Sequence, residues 1–353
     1  MTLRAALIAL AAGVALAGPA SAAQPSFNPG WEQVDAALAR NDPAEARRIA
    51  EELAKAGHPE AINGLAALVA QGIGGSPDPV RYRELLERAV AAGSLTAKLN
   101  LARALASDSD TRLYPRALSL LQDVIKEPKL GGPTYYPLGR VMIFGGHGAD
   151  ELKQGVAYMA QAVSFEPQNA DAQFLLARAY QGGWGGSEKN AAKAFEHFLA
   201  ASKLGDERAE RYVGMARLNG QGTATDPPAA LADFRSAAAH GSVWAMIDIA
   251  AMLAVGEGVP ADPPAARDWY RRAADLGSAH GVRGLGVMLY RGEGGAVDTA
   301  NGRALLELAV DAGDADAKRL APLLFQGREA PDRAAVDAAK AAWLQSHPPP
   351  KAD

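Results

Sequence analysis

The sequence predicts an all-α fold, an α/α solenoid in which helix hairpins stack into one right-handed superhelix. Apolar residues form pairs of stripes at helical spacing, and a glycine-rich loop separates the two stripes of each pair. The pattern returns every 36 to 38 residues. We call the residue that ends the preceding unit the anchor of a repeat, and the anchors are Gly57, Gly93, Leu130, Gln168, Gly205, Gly241, Gly277 and Gly313. One hairpin cannot bury both of its stripes, so the hairpins must stack on each other.

Composition supports this fold class and limits the possible functions. Hydrophobic residues make up 48% of the 353 residues but aromatic residues only 6%, which favours close-packed, alanine-rich helices. The net charge is −4 with both signs interspersed, so we expect no nucleic-acid partner. The chain has no cysteine, which excludes disulfides, thiolate metal sites and a cysteine-linked lipid anchor.

The first element is a predicted secretory signal peptide over residues 1–22. Arg4 supplies its positive start, residues 5–17 are an apolar run too short to span a bilayer, and an A-x-A cleavage site ends at Ala22. We expect cleavage near Ala22, a disordered leader over residues 23–29, and a periplasmic or secreted mature chain without a transmembrane segment.

A capping helix pair is predicted next, over residues 30–56. Its helices would cover 31–40 and 43–56, with Asn41 or Asp42 as the cap of the second helix, and it lacks the glycine loop.

Residues 57–313 are predicted to hold seven repeats. Eight residues after each of the first seven anchors stands a large aliphatic residue, and the next residue is small so that two helix backbones can approach: Ala66, Ala102, Gly139, Ala177, Gly214, Ala250 and Gly286. Fifteen and seventeen residues after the anchors stand the loop glycines, in five repeats: Gly72 and Gly74, Gly183 and Gly185, Gly220 and Gly222, Gly256 and Gly258, Gly292 and Gly294. The other two repeats have Asp108 and Asp110, or Gly145 and His147, at these positions.

Aspartates follow the loops in four repeats and are predicted N-caps: Asp78, Asp226, Asp262 and Asp298.

The end of the chain differs from the repeats. Residues 314–346 are predicted to be a truncated last repeat and a C-terminal capping helix, with helices over 318–325 and 331–345. Residues 347–353 form a tail that contains three consecutive prolines.

A set of residues within this pattern resembles a known repeat. Ala245, the Gly256 and Gly258 pair, the segment 269–274, Gly277 and Leu285-Gly286 are similar to the Sel1-like repeat, a lengthened relative of the tetratricopeptide repeat. The resemblance covers about residues 57–313. It implies an adaptor solenoid whose first helices line a concave surface. Some exported relatives are cysteine-rich and have been called β-lactamases, a poor match here, and others are scaffolds in envelope and exopolysaccharide-export assemblies.

No catalytic or cofactor motif stands out. The sequence lacks S-x-x-K, G-x-S-x-G, H-E-x-x-H and G-x-x-x-x-G-K, and the glycine run 182–186 occupies a loop position without a preceding strand. The six histidines fall at unrelated positions of the repeat, which argues against a metal site. We therefore expect no cofactor, no metal and no enzymatic activity.

Arginines mark the predicted concave stripe, which consists of positions 3, 6, 10, 13 and 14 after each anchor. Those that we assign to a binding site are Arg103, Arg140, Arg178, Arg208, Arg211 and Arg283. Acidic residues on the stripe are few, Glu60 and Asp171, so stacked arginines could hold a carboxylate-bearing chain. The alternative is that the arginines lie flat and pair with acids of neighbouring helices. Tyr136 and Trp244 on the stripe and Trp184 on a loop are predicted contact aromatics, although helix-end packing explains them equally well.

The predicted function is that of a non-enzymatic exported adaptor that binds a protein or an acidic peptide in the groove. A first alternative is an envelope scaffold for exopolysaccharide export that engages an anionic polysaccharide through a basic groove. A second alternative, which the sequence favours least, is a cell-wall or β-lactam hydrolase.

Overall fold

The computed structural model describes residues 30–146, 148–326 and 330–351, and over these residues the chain forms eighteen α-helices and two short 3-10 turns. The prediction of an all-α solenoid of helix hairpins is confirmed. The predicted signal peptide, its cleavage site and the leader lie outside the described residues, as does His147.

The chain divides into two compact units, and we describe each by itself. The N-terminal unit ends at Lys189 and holds nine helices among its described residues: α1 (Trp31–Ala39), α2 (Pro43–Lys55), α3 (Pro59–Gln71), α4 (Pro79–Ala91), α5 (Leu95–Ser107), α6 (Tyr114–Val124), α7 (Gly131–Phe144), α8 (Ala149–Phe165) and α9 (Ala170–Gly182). Its 3-10 turns are Thr111–Leu113 and Trp184–Gly186.

The C-terminal unit begins at Asn190 and holds the other nine: α10 (Ala191–Lys203), α11 (Glu207–Asn219), α12 (Pro227–Ala239), α13 (Val243–Val255), α14 (Pro263–Asp275), α15 (Ala279–Arg291), α16 (Thr299–Asp311), α17 (Ala315–Phe325) and α18 (Arg333–Ser346). Within both units each helix packs against the next, except that α18 returns to α16. First helices of successive hairpins also touch, α3 with α5, α5 with α7, and α13 with α15.

The predicted caps form as expected. The side chains of Asp78, Asp226, Asp262 and Asp298 each accept a hydrogen bond from the backbone N–H three residues later. Asp42, and not Asn41, caps α2 in the same way. These carboxylates satisfy donors that the first turn of a helix leaves without partners, which fixes where each second helix begins.

The two loop glycines of a repeat have different tasks. The first of them ends the first helix in the left-handed conformation, as Gly72, Gly220 and Gly256 show. The second packs on the preceding hairpin, because a Cβ on Gly222 or Gly74 would overlap the carbonyl oxygen of Ala191 or Pro43. The glycine pair therefore joins neighbouring hairpins as well as turning the chain.

The last hairpin differs in detail from the prediction. Helix α17 begins at Ala315, three residues before the predicted start, because the Asp314 side chain accepts a hydrogen bond from the Ala317 N–H and caps an additional turn. Helix α18 covers Arg333–Ser346, because Asp332 caps it by accepting a bond from the Ala334 N–H. Only Val336 of α18 is buried, so this helix lies on the surface of the unit.

Candidate functional site

The predicted site residues fall into separate groups. Arg103, Tyr136 and Arg140 come together in the N-terminal unit. Arg178 does not join them, because its guanidinium lies over the ring of Trp184, 5.7 Å from the centroid. The other predicted residues belong to the C-terminal unit, and they are Arg208, Arg211, Trp244 and Arg283.

The first group lines a depression of about 270 Å³, which we call the N-terminal pocket. Its walls come from α5, α7 and the connection between α8 and α9. The residues that line it are Arg103, Ala106, Ser107, Tyr136, Pro137, Arg140, Glu166 and Asn169.

A proline fixes the position of Arg103. Pro137 lies inside α7 and has no N–H, so the carbonyl of Pro133, four residues earlier, lacks its usual helical donor. Nη2 of Arg103 donates a hydrogen bond of 3.0 Å to this carbonyl. The guanidinium is therefore held by a neutral backbone atom.

Arg140 is also oriented by a backbone carbonyl. Its Nε donates a hydrogen bond of 2.8 Å to the carbonyl of Ala106, one of the last carbonyls of α5, which have no helical partners. Its Nη1 lies 3.6 Å from Oδ2 of Asp171. The same carboxylate accepts a hydrogen bond from the Tyr136 hydroxyl, and burial together with this bond raises the pKa of Tyr136. Tyr136 therefore remains a neutral donor at physiological pH.

Arg103 differs in its charge environment from Arg140, Arg208, Arg211 and Arg283, each of which has a carboxylate oxygen within 4.0 Å. Among the described residues, no carboxylate oxygen lies within 4.0 Å of its guanidinium. Burial lowers the pKa of Arg103, and the negative charge of Glu166 on the pocket wall acts in the opposite direction. The pocket therefore holds a half-buried cation with unused donors.

In the C-terminal unit, the predicted arginines are paired with aspartates. Arg211 of α11 binds Asp248 of α13, with Nη2 3.2 Å from Oδ1, and its guanidinium lies 5.3 Å from the ring centroid of Trp244. The Trp244 ring in turn meets the His280 ring of α15 at 4.9 Å, and the Trp244 residue is 39% exposed.

The contacts continue to the start of α17, the first helix of the last hairpin. Nε of Arg283 donates a hydrogen bond of 3.0 Å to Oδ2 of Asp314, whose carboxylate is buried, and Nδ1 of His280 lies 3.8 Å from the same oxygen. We call Arg211, Trp244, Asp248, His280, Arg283 and Asp314 the C-terminal network. It connects α11, α13, α15 and α17, and each of its arginines has a carboxylate partner.

Arg208 lies outside the network. Its guanidinium binds the nearby Asp206 through two hydrogen bonds, of 3.0 Å and 2.6 Å, and its side chain is 51% exposed.

The aspartates that neutralise these arginines were missed at the sequence level, where the stripe contained Glu60 and Asp171 as its acids. Asp206 and Asp314 stand at the N-cap position of their first helices, and Asp248 stands seven residues after its anchor, a position outside the predicted stripe. A signal was present in the sequence, since most other repeats have Ser, Asn or His at the N-cap position. Which arginine each aspartate meets depends on how successive first helices are placed.

The remaining predicted features concern metals and membranes. Among the described residues, no three side chains of His, Asp or Glu come together in an arrangement that could hold a metal ion. None of the described helices combines the length and the apolar character needed to cross a lipid bilayer.

Comparison with known families decides what kind of repeat this is. A family model described as Sel1 repeat matches residues 59–94, 170–206, 208–242, 245–278 and 279–314, which together make up half of the chain. The chain belongs to the Sel1 repeat family. The unmatched residues 95–169 still form helix hairpins, α5 with α6 and α7 with α8, and they contain the two repeats whose loops depart from the glycine pattern. No curated protein matches the chain.

Solved structures agree with this fold. A protective antigen from uropathogenic Escherichia coli with an SLR fold is 20% identical, with a TM-score of 0.61 over 87% of this chain and 73% of that chain. A Sel1 repeat protein from Oxalobacter formigenes is 22% identical, with a TM-score of 0.56 over 90% and 99% of the two chains. Sel1 repeats generally mediate protein interactions, and proteins of the family are generally non-catalytic scaffolds.

Proposed function

We propose that this Sel1 repeat protein is a non-enzymatic, exported scaffold that binds a protein partner through its first helices, and that the N-terminal pocket receives an acidic side chain of that partner. The observation that carries the proposal is the state of Arg103. Its guanidinium is half-buried, is held by the Pro133 carbonyl, and has no carboxylate partner among the described residues.

The neighbours of Arg103 suit a carboxylate ligand. Arg140 lines the same pocket from α7, and its contact of 3.6 Å with Asp171 is longer than a direct hydrogen bond. A partner carboxylate could take charge-assisted hydrogen bonds from Arg103 and Arg140 together, and such bonds are about twice as strong as neutral ones. Glu166 opposes this binding, so the affinity depends on a balance of charges within the pocket.

An anionic polysaccharide is a weaker candidate ligand. Such a chain needs positive charge over many sugar units, whereas Arg208, Arg211 and Arg283 are all bound to aspartates of the C-terminal unit. The described arginines therefore support one local acidic contact better than a continuous basic groove.

The test uses a labelled hexaglutamate peptide as the probe and fluorescence anisotropy as the measurement. We expect Arg103→Met to weaken binding at least about tenfold, because the half-buried cation is lost. Arg208→Met is the matched control, since it makes the same change in net charge at an exposed arginine, and it should bind like the parent chain. Equal binding by all three chains, each with an unchanged helical circular-dichroism spectrum, would reject the pocket.

A second arm separates peptide from polysaccharide. Alginate is added as a competitor at about 50 mM and about 300 mM salt, which brackets the range over which exposed charges become screened. Local recognition of a peptide predicts that hexaglutamate remains bound in excess alginate at the higher salt, since partly buried ion pairs are screened less than exposed ones. Complete displacement by alginate, with a steep dependence on salt, would favour the polysaccharide function.

Export is a separate part of the proposal and rests on residues 1–22. Expression of the full chain in a bacterial host, followed by fractionation and mass spectrometry, should give a periplasmic or secreted chain that starts at Ala23. A chain that keeps Met1 and stays in the cytoplasm would contradict export without affecting the pocket.

A further inference from the structure

The C-terminal tail is bound to the turn between α14 and α15. Lys351 donates its backbone N–H to the carbonyl of Gly277 at 2.9 Å, and the Ala279 N–H donates to the Lys351 carbonyl at 3.1 Å. This is the pattern of a parallel strand pairing at Ser278. We call Gly277, Ser278 and Ala279 the docking edge.

Main-chain atoms make both hydrogen bonds, so the docking edge does not require a particular side chain at residue 351. The Ala279 N–H belongs to the first turn of α15 and has no partner within its own helix. The tail therefore supplies an acceptor that any extended chain of the right register could supply.

Side chains hold the tail at one further point. Nε2 of His347 lies 3.2 Å from Oδ1 of Asp275, and the His347 ring stacks on Trp343 with centroids 3.7 Å apart. Three prolines then span the distance to Lys351, and Pro348 packs beside Gly277. Proline favours the extended backbone that a docked strand needs and loses little entropy on binding.

The tail covers the edge without being buried. Pro348, Pro349 and Lys351 are exposed, so little buried apolar surface becomes accessible to solvent when the tail leaves the docking edge. The corresponding turn glycines Gly241 and Gly313 have open space beside them. The tail is thus a ligand of one turn and not a general feature of the repeat.

We propose that the docking edge is a binding site for an extended, proline-rich segment of a partner protein that carries a cationic or imidazole side chain opposite Asp275. In the free protein, residues 347–351 occupy the edge as an intramolecular competitor. A partner segment binds by displacing them.

The test compares two full-length variants. His347→Ala combined with Lys351→Pro removes the Asp275 contact and the N–H that donates to Gly277, whereas Lys351→Ala keeps every main-chain hydrogen bond. Hydrogen exchange of the Ala279 amide should be at least about tenfold faster in the double variant than in Lys351→Ala or the parent chain. Equal exchange in all three chains would overturn the intramolecular competition.

The probe for the edge is the acetylated peptide Ser-His-Pro-Pro-Pro-Lys-Ala-Asp, at millimolar concentration because a tether gives the tail a comparable effective concentration. In the double variant it should produce saturable NMR shifts at the Ser278 to Gly281 amides, and at least about fivefold smaller shifts in Lys351→Ala. A peptide with proline in place of lysine is the control. Absence of shifts in the double variant, or equal shifts with the control peptide, would overturn the docking site.

Discussion

Arg103 in the N-terminal unit and Arg283 in the C-terminal unit are both half-buried arginines on first helices, but they face different atoms. Arg283 binds the buried carboxylate of Asp314, which precedes the next first helix and caps it. Arg103 binds the Pro133 carbonyl, which the next first helix also provides but which has no net charge. Arg283 is therefore neutralised within the protein, and Arg103 is not.

This difference shows how one repeat pattern can produce both structural and binding arginines. The arginine alone does not decide its role, because the residue that the following repeat places opposite it determines whether the charge is already compensated. Where the following repeat supplies an aspartate, the arginine and the aspartate form an ion pair between hairpins. Where it supplies a carbonyl that lacks its helical donor because of a proline, this carbonyl orients the cation and leaves its charge available.

The largest expected effect tests whether the second loop glycine of a repeat has the same packing role in both units. Gly222→Ala should lower the free energy of unfolding by about 2–4 kcal/mol, because the glycine has a positive φ and its Cβ would overlap Ala191. Gly241→Ala, with positive φ but open space, should cost only about 1 kcal/mol. Urea unfolding measures both. The same contrast is expected for Gly74→Ala and Gly93→Ala in the N-terminal unit, and its absence there would mean that the units are built differently.

The next effect concerns the neutralised arginine. Asp314→Ala removes both the cap of α17 and the partner of Arg283, and it should lower the free energy of unfolding by about 2–3 kcal/mol. Asp314→Ser retains a capping oxygen and should recover about 1 kcal/mol of that loss. If the two variants unfold at the same urea concentration as the parent chain, the pair does not stabilise the C-terminal unit.

A smaller effect is expected from the acidic residue of the pocket. Glu166→Gln removes a negative charge near Arg103 with almost no change of shape, so hexaglutamate should bind about threefold to tenfold more tightly. Anisotropy titration measures this change. Weaker binding by Glu166→Gln would show that the pocket does not select anions.

The smallest effect is on stability at Arg103 itself. Arg103→Met loses one hydrogen bond to a carbonyl and no ion pair, and it also removes the cost of half-burying a cation, so the free energy of unfolding should fall by less than about 1 kcal/mol. Arg283→Met, the matched change in the C-terminal unit, should cost more because it leaves Asp314 buried without its cation. Equal losses in urea unfolding would remove the distinction between the two arginines.

The sequence was sufficient to predict the helix hairpins, their loops and the four aspartate caps that follow the loops, because each depends on local chemistry, whereas it placed the start of α17 three residues late. Asp78 before Pro79 and the loop glycines identify the helix ends without any tertiary information. The partners of the arginines depend instead on the register between successive first helices, which the repeat period does not supply. The binding of Lys351 to Gly277 was not predictable for another reason, since it uses only main-chain atoms.

The most direct test follows the arginine Nε–H resonances by NMR while hexaglutamate is added to the full chain. The resonances of Arg103 and Arg140 should shift together and saturate, while those of Arg211 and Arg283 stay in place because aspartates already hold them. Shifts at Arg211 and Arg283 with none at Arg103 would contradict the assignment of binding to the N-terminal pocket.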